Sequence, residues 1–103
     1  MRTLSFLVNG QQLIRDPECN FDGLVKGTQG YLKVKIRFSD DWEGCRKAVS
    51  FMSDKEYAIM LDKDNTCMIP DEVLTGNVFE MSVVGVKENY KITSGKVRVK
   101  QND

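Results

Sequence analysis

Residues 31–43, YLKVKIRFSDDWE, alternate between apolar and basic side chains, then stop in two aspartates and the only tryptophan of the chain. A two-residue period marks an extended strand with one face in a core. Leu32, Val34, Ile36 and Phe38 are therefore expected inward, and Lys33, Lys35 and Arg37 outward. The same period recurs in Val49 and Phe51, in Tyr57, Ile59 and Leu61, in Phe79, Met81 and Val83, and in Val97 and Val99, which alternate with Lys96, Arg98 and Lys100.

Turn chemistry separates these runs. Asn9-Gly10 between residues 3–8 and 11–15 predicts a hairpin, because that dipeptide supplies the positive φ angles of a tight turn. Residues 62–65, DKDN, are a turn by the same logic. Pro70 stops the run 66–69, residues 71–76, DEVLTG, form one helical turn, and a last strand is expected over 90–100. About seven or eight short strands and no longer helix predict an all-β fold. The expectation is an immunoglobulin-like antiparallel β-sandwich, with a small barrel as the alternative.

At 103 residues the chain has the size of one domain, spanning 1–103, and an apolar content of 41% against 29% charged residues suits an ordinary core. Fifteen Lys plus Arg balance fifteen Asp plus Glu, so no global field draws the molecule to nucleic acid or to an anionic membrane. The apolar run before Asn9-Gly10 is too short for a secretory signal, which places the chain in the cytoplasm where it is made. Cys19, Cys45 and Cys67 are odd in number and lack CxxC spacing, so free, mostly buried thiols are expected, with a Cys45–Cys67 bridge left open.

The chain contains no histidine. That removes Ser-His-Asp and Cys-His catalysis and the HExxH zinc site, and three scattered cysteines are poor zinc ligands. Asp40, Asp41 and Glu43 are expected as solvated or capping acids. Asp62 and Asp64 begin a DxDN pattern, but the glycine and glutamate a calcium loop requires are replaced by Cys67 and Val73. No catalytic, cofactor-binding or metal-binding residues are assigned, and the chain is not expected to be an enzyme.

Candidate partner-binding residues are Lys33, Lys35, Arg37 and Trp42. The basic stripe is either a contact surface or the wet side of a sheet, and no aromatic residues interleave its lysines as a stacking platform for single-stranded nucleic acid requires. Trp42 is either a ring closing the open end of the sandwich, its indole N–H bonded to a carbonyl, or an exposed anchor.

Three segments, LVKGTQGYLKVKIRFSDDWEGCRKAVSF, LDKDNTCMIPDEVLTGNVFEMSVVGV and KITSGKVRVK, resemble the small β-sandwich at the N-terminus of baseplate, upper-baseplate and tail-fibre proteins from phages of Gram-positive bacteria. The resemblance covers about residues 24–100 and rests on Asp-Trp-Glu-Gly at 41–44 and Ile-Pro-Asp-Glu-Val-Leu at 69–74. It implies a non-enzymatic virion module with Trp42, Pro70 and Gly85 as structural markers. Cys45 stands where that family carries a larger apolar residue, and the chain stops at Asp103 where family members continue, so a freestanding domain is expected. These readings predict a phage structural or accessory protein of the tail, baseplate or capsid surface, acting through protein–protein contacts. The alternative is a small phage-encoded inhibitor of a host enzyme or defence-system protein. The expected partner is a protein, not nucleic acid or membrane, with a homo-oligomer left open; the expected location is the host cytoplasm on synthesis, and the virion if structural.

Overall fold

The computed structural model describes residues 1–103 and is a sandwich of two sheets. The strands are β1 (Arg2–Asn9), β2 (Gln12–Arg15), β3 (Leu32–Phe38), β4 (Arg46–Met52), β5 (Glu56–Met60), β6 (Thr66–Met68), β7 (Val78–Lys87), β8 (Tyr90–Thr93) and β9 (Val97–Lys100). One sheet has the order β2-β1-β3-β6; the other has the order β5-β4-β7-β8, with β9 also paired to β7. Single 3-10 turns lie at Asp40–Trp42 and Asp71–Thr75, the second directly after Pro70 as expected.

The inward alternation is as the sequence predicts. Leu32, Val34 and Ile36 meet Val49, Phe51, Phe79, Met81, Val83 and Val99 in one buried cluster, joined by Leu4, Phe6 and Val8 of β1. Burying each such side chain contributes about 1.5–3 kcal/mol, which is what fixes the register.

Three local expectations need correction. The β1–β2 turn is centred on Gly10 and Gln11, since Asn9 pairs with Gln12. Gly10 alone carries a positive φ there, 60°, so the turn places its glycine first, as type II′ turns do. Among the nine strands the pairing is antiparallel except between β1 and β3, which run parallel from Arg2↔Leu32 to Val8↔Phe38. Residues 16–31 cause this by carrying the chain back to the start of β1. The Arg2 guanidinium holds that return through the carbonyls of Asn20 (3.0 Å) and Asp22 (2.7 Å), and Phe21 stands edge-on to Phe6 at 5.3 Å.

The expected last strand is two strands. β8 pairs with β7 in the register Val84↔Thr93, but β9 pairs in the register Met81↔Val97, so one extra residue is accommodated around Gly95. This bulge switches the inward phase from even to odd positions, so that Ile92 and then Val97 and Val99 all turn toward the core.

Candidate functional site

The outward face of the four-stranded sheet is built by register alone. Lys33 lies between Thr3 and Met68, Lys35 between Ser5 and Thr66, and Arg37 beside Leu7, which in turn neighbours Ile14. All these side chains are on the side opposite Val34 and Ile36. The structure therefore brings Lys33, Lys35 and Arg37 together on one face. Lys35 and Arg37 are exposed and Lys33 is half-buried.

Neighbouring cations two residues apart on a strand stand about 6.6–6.8 Å from each other, a repulsion of only about 0.6 kcal/mol in water before salt screening. The stripe is tolerated at little cost. Arg37 approaches Asp16 at 3.9 Å, with the guanidinium side 71% exposed, while no carboxylate forms an ion pair with Lys33 or Lys35. Apolar groups flank the charges: Ile14 and Met68 are each about 40% exposed, and Leu7 is half-buried. Cationic side chains interleaved with apolar ones on one sheet face form a surface that an acidic, partly apolar protein face would complement.

At one end of this face, the turn from β5 to β6 is organised by Asp62. Its carboxylate accepts hydrogen bonds from the Thr66 N–H (3.0 Å), the Thr66 hydroxyl (2.7 Å) and the Asp64 N–H (2.9 Å). The Thr66 bonds, with smaller help from the Asp64 amide and the Lys33 charge, hold the Asp62 carboxyl below its ordinary range. Its oxygens serve the turn, which is the structural role of the DxDN pattern. Cys67 points inward from β6, and burial, reinforced by the Asp62 charge, pushes its thiol up to about 12. All three cysteines are free, with Cys45 buried and Cys19 and Cys67 half-buried.

Trp42 does not belong to this face. The exposed-anchor alternative is corrected: the ring is fully buried in the core, and its indole N–H donates to the Gly10 carbonyl at 2.7 Å. Ser39 positions this end by accepting the Gly10 N–H at 2.9 Å, and Phe38 packs against the indole with ring centroids 5.2 Å apart. Gly85 provides the slot, because a Cβ there would lie 2.8 Å from the Trp42 ring. Trp42 is a wedge between the sheets, out of reach of any partner.

Leu7, Ile14 and Met68 were not foreseen as members of the face. Leu7 had a signal: it follows Leu4 and Phe6 in the phase of Thr3 and Ser5, which makes it an apolar residue on the outward side. The contribution of Ile14 and Met68 depends on which strands neighbour β1 and β3, which alternation does not encode.

Comparison of the chain with protein-family models, with curated proteins and with solved structures finds no match. The fold and the face together define an all-β sandwich with one cationic, partly apolar sheet surface.

Proposed function

We propose that the chain is a non-enzymatic contact module that docks an acidic protein surface on the outward face of β1, β3 and β6, as a structural or accessory component of a phage tail, baseplate or capsid surface. The observation that carries the docking reading is the pair Lys33 and Lys35, held on one sheet face without an ion-pair partner and bordered by exposed Met68. The phage setting is supported by the resemblance of residues 24–100 to baseplate and tail-fibre modules. The neutral overall charge fits a protein partner better than nucleic acid, whose binding needs several phosphate contacts.

The test is incorporation into particles. Virions of a phage encoding the chain are purified and analysed by quantitative mass spectrometry, with the wild-type protein, the double variant Lys33→Glu/Lys35→Glu, and the triple variant that adds Arg37→Glu. Wild-type protein is expected in the particles and both variants at least about tenfold below it, which corresponds to about 1.4 kcal/mol of contact energy. Equal recovery of variants with wild-type melting temperature removes this face from the contact. A chain absent from particles and recovered instead with a host enzyme supports the inhibitor alternative.

A further inference from the structure

A second surface lies on the other sheet and is independent of the basic face. In the β4–β5 ladder the Leu61 N–H donates to the Lys47 carbonyl and the Ser53 N–H to the Lys55 carbonyl. In the register Val49↔Ile59, these bonds fix the phase: Tyr57, Ile59 and Leu61 spend their backbone groups on β4, while Ala58 and Met60 turn theirs away from the sheet. Nothing in the chain pairs with that outer side.

The other margins are partly covered. Arg15 donates to the Arg98 carbonyl, Gly95 N–H to the Gln11 carbonyl and the Gln11 side chain to the Thr93 carbonyl, which stitches β2 to β9 and β8. Asp62 occupies both backbone groups of Thr66 on β6, and Pro70 ends that edge. β5, Glu-Tyr-Ala-Ile-Met, contains no lysine or proline, two of the devices that blunt an edge, and its one charge, Glu56, sits at its first residue. Its margin is also apolar: Tyr57, Ile59, Leu61 and Cys67 are only partly buried, and Met60 is 58% exposed.

We propose that β5 is a self-association edge, pairing antiparallel with β5 of a second copy about a two-fold axis through Ala58. The strand is self-complementary about that residue. Ala58 meets its own copy on the axis, where identical side chains come closest and a small uncharged one is needed. Glu56 then stands opposite Met60 of the second copy, and Tyr57 opposite Ile59, so no like charges face each other within the strand. The free backbone groups of Ala58 are matched by their own copies, and the two five-stranded sheets become one. A five-residue edge is small beside a standard interface, so the dimer belongs to the weak, transient class.

Analytical ultracentrifugation over about 10 µM to about 1 mM, the range of weak association, should show the wild-type mass doubling. Ala58→Lys sets like charges opposite each other on the axis at an exposed position, so it should be monomeric throughout with an unchanged melting temperature. In a hydrogen-bonded pair the two Cα atoms are about 5.5 Å apart, which suits a disulfide. Ala58→Cys should therefore cross-link under mild oxidant at least about tenfold faster than Lys63→Cys, which the axis places opposite Ser53. A wild-type monomer at every concentration, a dimer that survives Ala58→Lys, or equal cross-linking of the two cysteine variants would each overturn the proposal.

Discussion

Replacing Gly85 with alanine tests the account of Trp42 quantitatively. The added Cβ would lie 2.8 Å from Trp42 Cε3, 3.1 Å from Cζ3 and 3.1 Å from the Cβ of Cys45. Relaxed carbon–carbon contacts begin near 3.5 Å, so the ring must retreat by roughly 0.7 Å. It has no free direction, because Phe38 packs against it and its N–H is fixed to the Gly10 carbonyl at 2.7 Å. Overpacking of this kind costs about 1–3 kcal/mol. Straining the buried indole bond adds about 0.5–1 kcal/mol, and the lower chain entropy of unfolded alanine returns about 0.4–1 kcal/mol. The net expectation is a loss of about 2 kcal/mol, or roughly 10 °C in melting temperature for a domain of this size. Gly76→Ala is the control: its nearest neighbour would be the Val78 carbonyl at 4.0 Å and its φ of −104° suits any residue, so a change within about 0.5 kcal/mol is expected. Urea unfolding followed by the fluorescence of the single tryptophan reads both variants. Equal stabilities for the two would refute the wedge.

Ile36→Ala should lose about 2–5 kcal/mol by emptying a fully buried site, whereas Lys35→Ala, one residue away on the wet face, should stay within about 0.5 kcal/mol; chemical denaturation giving equal effects would show the register of β3 to be misassigned. Cys67 should resist alkylation at pH 8 and become about tenfold more reactive per pH unit up to its raised value of about 12, as mapped by mass spectrometry of labelled peptides, and rapid labelling at pH 8 would contradict its burial. Because its folded value lies above the unfolded one near 9, the unfolded thiol ionises first. The stability it contributes is complete below pH 9 and declines as pH rises toward 12.

Alternation made the strands readable because each strand has one face in the core: Val34 and Ile36, Val49 and Phe51, and Phe79, Met81 and Val83 all point as their spacing requires. Pairing was less readable, because the parallel neighbour of β1 is chosen by a return segment tied down through Arg2, Phe21 and Leu24, which has no period of its own. The split after β8 was nevertheless written in the chain, since Ile92 and Val97 cannot share a face without an extra residue between them. The basic half of the candidate face was legible from β3 alone, and its apolar border was not, because Ile14 and Met68 reach it only through strand order. Trp42 stayed ambiguous in sequence because a tryptophan in an acidic turn serves equally as wedge or anchor; the empty Cβ position at Gly85, forty-three residues later, decides between them.

The basic face and the β5 edge differ in physics as well as in place, which lets each fail alone. The proposed contact through Lys33, Lys35 and Arg37 would be electrostatic at an exposed surface, so it should weaken as salt shortens the screening length from about 10 Å at 0.1 M to about 3 Å at 1 M. Pairing through Ala58 and Met60 rests on backbone hydrogen bonds and on covering Tyr57, Ile59 and Leu61, so the same salt leaves it intact or strengthens it. The geometry also keeps the two compatible. A two-fold axis perpendicular to the joined sheet leaves both four-stranded sheets on the same side of it, with both cationic faces directed the same way. If both proposals hold, such a dimer would engage a repeated acidic surface at two points, and the second engagement would be intramolecular, so a weak single contact would become a lasting one without any further residue being recruited.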